Sequence, residues 1–220
     1  MLFDLDGTLV DSVYQHVGAW HDALTSCDIP LSVWRIHRKI GMSGGLFVRG
    51  LMRELGRELD PKTALELRRR HAEAYAKRFH EVAPLPGTHA LLATLTALGA
   101  PWAIATSGGR DVANRTLALL DVPPHVPVIT RDEVAHAKPD PDLFLRAAER
   151  LGVAIEHSVV VGDSVWDLLA ARRAGALGVG LLSGGYGHDE LQSGGAYRVY
   201  EDPADLLAHL DEVGVRDPES

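Results

Sequence analysis

The chain has 220 residues, 46% hydrophobic and 24% charged, with 22 Lys and Arg against 30 Asp and Glu for a formal net charge of -8. That composition excludes disorder and collagen-like structure, and the acid surplus argues against a nucleic-acid binder, which needs a basic face. Cys27 is the single cysteine, no apolar run approaches the roughly 18 residues of a membrane span, and Met1-Leu2-Phe3-Asp4 lacks the basic start of a signal peptide, so a reducing, cytoplasmic setting without membrane attachment is expected.

Met1–Leu5 reads as a short apolar strand with no helix of its own. Residues 12–83 then carry helical patterns with little strand signal. The spacing predicts helices over Val13–Cys27, Leu46–Leu55 and Lys62–Phe79, the last with Leu65, Ala72, Ala76 and Phe79 on its apolar stripe, and Asp11 starting the first. Pro84-Leu-Pro-Gly87 marks a return to a different unit. Strand Pro101–Ala105, helix Asp111–Leu120 and strand Val126–Ile129 follow. Next is a helix with Asp140 as N-cap, Pro141 at its first position and Gly152 at its end. Strand Ser158–Val161, helix Val165–Ala174, strands Leu177–Leu182 and Tyr197–Tyr200, and helix Asp205–Val213 complete the chain. Strand–helix alternation implies a parallel sheet covered on both faces. The expected fold is α/β, a doubly wound Rossmann-like parallel sheet core over residues 1–11 and 84–220, with a small helical cap domain, 12–83, inserted after the first strand.

Ligands of such sheets bind outside the carboxyl ends of the strands. Asp4 and Asp6 end the first strand, Thr106 and Ser107 the next core strand, and Asp163 the Val159-Val160-Val161 strand, with Asp167 one helical turn on; Lys138 lies in the loop before the Asp140 helix. Four carboxylates on one rim repel one another unless a hard, oxygen-liganded cation sits among them, and Mg²⁺ is the expected one. Mg²⁺ commonly binds substrate phosphate, so a phosphate ester is the expected ligand, with Lys138, the Thr106 hydroxyl and the amides around Ser107-Gly108-Gly109 facing its oxygens. Phosphoryl transfer chiefly needs such positioning and charge neutralisation, and an aspartate can accept the group covalently.

Asp4-Leu-Asp-Gly-Thr8, Ala105-Thr-Ser-Gly108, Ala137-Lys-Pro-Asp140 and Val161-Gly-Asp-Ser-Val-Trp-Asp167 resemble, in order, the four motifs of the haloacid dehalogenase superfamily. The similarity covers essentially the whole chain, and the helical insertion resembles the cap of the phosphoglycolate phosphatase and β-phosphoglucomutase branch. The resemblance implies Asp4 as the phosphoryl-accepting nucleophile and Asp6 as general acid and base, its backbone carbonyl also a metal ligand. It implies Thr106 and the Ser107 amide on the phosphoryl group and Lys138 screening charge beside the nucleophile. Asp163 would ligate Mg²⁺ directly and Asp167 directly or through water, so that Asp4, Asp6, Asp163 and Asp167 form the metal set.

Each of these residues also has a plainer use. Asp4-Leu-Asp-Gly could be a strand-end turn, Thr106 a helix cap, Lys138 a solvated lysine and Asp167 a first-turn helix acid favoured by the helix dipole. The eleven histidines show no zinc spacing and read mostly as surface or capping residues, Arg68-Arg69-Arg70 as the wet face of its helix, and Trp20, His21, Trp34 and Trp102 as packing or rim residues. The glycine-rich loop Gly41-Met-Ser-Gly-Gly45 is expected to read the leaving group, with Ser43 and Arg49 as contacts.

Hydrolysis of a small phosphorylated metabolite is therefore the leading reading, by a monomer or homodimer. Thr8 favours it over a sugar-phosphate phosphomutase, whose members resemble Asp-Gly-Val there and carry an arginine that Ile40-Gly-Met-Ser-Gly-Gly45 lacks. The dehalogenases and phosphonatases lack the second motif-one aspartate that Asp6 supplies. A non-catalytic phosphate-binding or signalling module, such as an aspartate-phosphorylated receiver, is the rival from another class. Receivers run nearer ~120 residues and lack an insertion of this size.

Overall fold

A computed structural model of the chain describes residues 1–56 and 60–215. In chain order the strands and α-helices are β1 (Leu2–Phe3), β2 (Val10–Asp11), α1 (Val13–Thr25), α2 (Val33–His37), α3 (Gly44–Leu55), α4 (Pro61–Arg78), β3 (Ala83–Pro84), α5 (Thr88–Ala97), β4 (Ala103–Ala105), α6 (Arg110–Leu117), β5 (Val128–Ile129), α7 (Asp142–Leu151), β6 (Val159–Gly162), α8 (Val165–Ala174), β7 (Leu177–Leu181), α9 (His188–Gly194), β8 (Ala196–Tyr200) and α10 (Pro203–Ala208). The chain divides into two compact units, Met1–Asp11 with Ala83–Ser220, and Ser12–Val82.

The first unit is built on a six-stranded sheet in the order β5-β4-β1-β6-β7-β8, with every pairing parallel and helices flanking it. β1 is only two residues long, yet it is central: Leu2 pairs with Ala103 on one side and Val160 on the other. Leu2, Phe3, Ala103–Ala105, Val160 and Val161 are all buried, as a strand covered on both faces requires. Phe144, Ala147 and Ala148 of α7 pack with Ala170 and Ala171 of α8 against these strands. The chain runs from β1 out to β4 and β5, then returns to β6 on the other side of β1. This reversal is the topological switch point at which doubly wound sheets bind ligands.

Several local expectations are corrected. Asp140 does not cap α7: Pro141, already helical at φ -80° and ψ -7°, takes the N-cap position, the helix starts at Asp142, and the Asp140 carboxylate meets Arg173 (3.3 Å). Asp11 is not a helix start but part of an antiparallel pair, Val10 with Pro84 and Asp11 with Ala83, and Ser12 precedes α1. The helix expected over Asp205–Val213 is α10 followed by a separate 3-10 turn at Leu210–Val213. Helices α2, α5 and α9 went unanticipated: α2 and α9 are too short to show a helical period, and the face of α5 rests on three leucines, Leu91, Leu92 and Leu95, with Thr88 as its fourth buried residue.

The second unit packs α1, α2, α3 and α4 around Val17, Trp20, Leu24, Ile36, Phe47, Leu51 and Leu67. Its buried stripe on α4 differs from the expected one. Leu65 is 61% exposed and Ala72 and Ala76 lie outside, whereas Leu67, Ala74 and Tyr75 are buried. The reason is aromatic. His16 of α1 stacks on Tyr75 of α4 with ring centres 3.8 Å apart, and Trp20, one turn on, stacks on His71 at 4.1 Å and on Phe47 at 4.1 Å. The two imidazoles meet edge to edge, His16 Nδ1 to His71 Nε2 at 3.1 Å. A count of aliphatic residues misses a helix face held by imidazole and phenol rings. These histidines, with the buried His37 stacked on Tyr14, are packing residues rather than surface ones.

Candidate active site

Asp4 directly follows β1, and its N–H extends the ladder to the carbonyl of Val161 (2.9 Å), which aims the side chain past the sheet's carboxyl edge. The chain then turns back through Gly7, whose φ of 81° is left-handed and suits glycine, with the Gly7 N–H on the Val10 carbonyl (2.8 Å). Thr106 follows β4, its N–H on the carbonyl of Ile129 (2.9 Å). Asp163 follows β6, and Asp167 lies in the first turn of α8.

These ends converge. Lys138 is fully buried; its ammonium donates to Asp4 Oδ1 and stands 2.8 Å from Asp167 Oδ1. Asp167 Oδ1 is buried and meets the ammonium as an ion pair. Asp167 Oδ2 accepts from the Ser164 hydroxyl (2.6 Å) and the Ser164 N–H (3.1 Å) in a reciprocal cap. The same side chain thus serves the helix start and the charge cluster. Asp163 Oδ1 accepts from the Thr8 hydroxyl at 3.1 Å. Asp4, Asp163 and Asp167 each offer an oxygen within 4.8 Å of the others, and they form the one such group of metal-capable side chains among the described residues.

The electrostatics follow from burial. Desolvation, reinforced by Asp167 and Asp6, pushes the Asp4 carboxyl up to about 7 even though Lys138 opposes it. Desolvation, then Asp167 and Asp4, likewise raises Asp163 well above the ordinary carboxylate range. Burial alone would lower the Lys138 ammonium, but Asp167 and Asp4 outweigh it and hold it at about 12. A single buried cation for three buried carboxylates leaves negative charge in excess. An oxygen-liganded divalent cation fits this donor set. Asp6 is half-buried, and its carboxylate stands outside the group of three.

Thr106 is buried, and its Oγ1 accepts the Gly108 N–H (3.0 Å), which leaves the hydroxyl proton to be donated. Ser107 Oγ is buried without a partner. Ser43 and Arg49 belong to the second unit. Ser43 is the N-cap of α3, accepting the Leu46 N–H at 3.4 Å, and Arg49 is exposed on that helix. Of the arginine run, Arg69 and Arg70 are held by Glu66 at 2.6 and 2.7 Å, and the Arg68 stem passes the Gly44 position.

Sequence reasoning missed a group at the end of β7. The Ser183 hydroxyl donates to the Gly7 carbonyl (2.6 Å), tying the motif-one turn in place. Gly184 leaves room for an acid, since a Cβ there would fall 1.8 Å from Asp163 Oδ2. Gly162 does the same for Asp167, whose Cβ would lie 2.2 Å from an added methyl. Leu182-Ser-Gly-Gly185 carries no charged residue, so only its spatial neighbours reveal its use.

Residues 1–175 match the family model for haloacid dehalogenase-like hydrolases. Among solved structures, a hydrolase from Pseudomonas syringae superposes with a TM-score of 0.95 and 53% identity, over 97% of this chain and 98% of that one. A phosphoglycolate phosphatase from Caulobacter vibrioides is 34% identical over 88% of this chain and 83% of its own length. The hexitol phosphatase A of Escherichia coli is 33% identical over 79% and 78%. No helix among the described residues is long and apolar enough to cross a membrane. The strand-end carboxylates, the family match and the phosphatase relatives agree: the chain belongs to the haloacid dehalogenase-like hydrolase family and is an enzyme of its phosphoric monoester hydrolase group.

Proposed function

We propose that the chain is a Mg²⁺-dependent phosphatase that hydrolyses a small phosphomonoester metabolite through an aspartyl-phosphate on Asp4. The observation that carries this reading is the buried set of Asp4, Asp163 and Asp167 around a single ammonium, that of Lys138. Relatives that act on phosphoglycolate and on hexitol phosphates support a small anionic substrate.

Asp4, Asp163 and Asp167, with the Asp6 carbonyl, would hold the Mg²⁺, whose charge keeps the acids ionised and neutralises phosphoryl oxygens when bound. Lys138 engages Asp4 Oδ1, which leaves Oδ2 to attack phosphorus. As that P–O bond forms, the bond to the leaving oxygen breaks, and the Asp6 carboxyl delivers its proton to the departing alkoxide. The Thr106 hydroxyl donates to a phosphoryl oxygen, its acceptor side being occupied by the Gly108 N–H. The Asp6 carboxylate then takes a proton from water, whose oxygen attacks phosphorus. The P–O bond to Asp4 breaks, and inorganic phosphate leaves with Asp4 regenerated. Thr8 and Ser164 hold Asp163 and Asp167 throughout.

The test is hydrolysis of an aryl phosphate by the purified chain with Mg²⁺, with chelator, and as Asp4→Asn. Turnover should require Mg²⁺ and fall by about 10³-fold or more in the variant, as removal of a covalent nucleophile does. An Asp4→Asn protein that hydrolyses as fast as its parent would overturn the nucleophile. Absence of turnover across a panel of phosphorylated metabolites would favour a phosphate-binding module.

A further inference from the structure

The loop that presents Thr106 to the phosphoryl group is Thr106-Ser-Gly-Gly-Arg110, and consecutive glycines make it intrinsically loose. Within the loop the Thr106 hydroxyl holds the Gly108 N–H (3.0 Å), but nothing in it holds the start of the helix that follows. The N-cap of α6 is Gly109, which has no side chain to receive the orphan N–H groups of the helix start. The restraint comes from the 3-10 turn Arg131–Glu133 after β5, more than twenty residues along the chain. Three successive residues of that turn grip the loop. The Arg131 N–H donates to the Gly108 carbonyl (3.0 Å), and Asp132 Oδ2 accepts the Arg110 N–H (2.7 Å). The Glu133 carboxylate accepts from the Arg110 guanidinium and is itself held by the Thr130 N–H (3.1 Å) and by Arg150 (2.7 Å). Asp132 is thus a helix cap supplied from another part of the chain, and Glu133 anchors both the turn and the residue it caps.

We propose that Asp132 is a positioning residue for phosphoryl binding, acting through the Arg110 N–H to hold the 106–110 loop, with Glu133 as its support. The inference rests on the phosphatase reading, and it assigns Asp132 no contact with substrate. Asp132 also brings a negative charge close to a site for an anion, and its two effects have opposite signs. Its hydrogen bond organises the loop and favours phosphate; its charge opposes phosphate. Asparagine keeps an acceptor oxygen in the same place and removes the charge, whereas alanine removes both.

The two variants should therefore separate. The measurement is inhibition of aryl phosphate hydrolysis by inorganic phosphate, with KM and kcat recorded alongside and Tm as the check on folding; Asp132 is exposed, and both variants are expected to fold. Asp132→Ala should weaken phosphate inhibition and raise KM about fivefold, the equivalent of one lost helix cap. Asp132→Asn should leave both unchanged or tighten them. If both variants tighten phosphate binding, the residue acts by charge alone; if neither changes it, the loop needs no clamp; if both weaken it alike, the acceptor is not what matters. Each of these outcomes overturns the assignment while leaving the phosphatase intact. Failure of the unaltered chain to turn over any phosphate ester would instead remove the phosphatase reading and this inference with it.

Discussion

The two units of this chain solve the burial of polar groups in opposite ways. The sheet unit buries one ammonium and three carboxylates at the carboxyl ends of β1 and β6, a concentration of charge that costs stability and is tolerated because Lys138 touches two of the acids and Thr8 and Ser164 satisfy two more oxygens. The helical unit relies instead on stacked rings. His16, His71, Trp20 and Tyr75 form two stacks joined by one N···N contact, and ion pairs such as Glu66 with Arg69 and Arg70 lie at its surface. In the first unit removal of one partner exposes an uncompensated charge; in the second it removes only packing or a screened attraction. This difference teaches where mutation should hurt, and it can be broken at three points.

The largest effect belongs to Lys138. Lys138→Met keeps the length of the side chain but leaves Asp4 and Asp167 facing each other without their cation. Breaking a buried pair in this way costs roughly 3–5 kcal/mol. Urea unfolding in the presence of chelator should show that loss, and hydrolysis should vanish. The double variant Lys138→Met with Asp4→Asn should recover part of the stability and none of the activity. Unchanged stability in Lys138→Met would mean that the charge cluster does not hold the strand ends together.

Next comes His71→Leu in the helical unit. It removes the contact with His16 and one aromatic face beneath Trp20, for a loss of roughly 1–2 kcal/mol. The prediction is local: amide hydrogen exchange should quicken in α1 and α4, while amides of β1 and β6 keep their protection. Equal acceleration in both units would show that their stabilities are not separable, and the comparison would fail.

What was legible in advance follows the same division. Asp4, Thr106, Lys138, Asp163 and Asp167 could be placed because each lies within a few residues of a strand end or helix start that apolar runs and Gly–Pro punctuation reveal locally. The residues that organise them were not legible. Ser183 and Gly184 reach Gly7 and Asp163 from β7, and Asp132 reaches Arg110 from β5, through contacts between strands whose adjacency no local pattern records. The α4 stripe was misread for a related reason. His71 and Tyr75 count as polar or ambiguous in a periodicity, yet their ring faces are what α1 packs against. Asp140 shows the converse: a good local cap signal lies one residue before the cap the helix uses, its carboxylate beside Arg173 of another helix.

The smallest effect tests the exposed side of the comparison. Glu66 accepts from both Arg69 and Arg70, and these hydrogen bonds hold its carboxyl down at about 2. A depressed folded value means the unfolded chain binds the proton more readily. The stabilisation is therefore present above the unfolded value of about 4.3 and is lost as pH falls toward the folded one. The carboxylate lies partly exposed on the helix surface, where solvent screening leaves little of that stabilisation. Glu66→Gln should lower Tm by no more than about 2 °C at neutral pH and low salt. The difference should shrink in about 1 M salt, where the screening length is near 3 Å. It should also fade as the pH is lowered through the window between the two values. A loss as large as that of Lys138→Met, or one indifferent to salt, would mean that the arginine run is held in a structural network rather than on a wet helix face. The contrast between buried charge in the sheet unit and solvated charge in the helical one would then no longer stand.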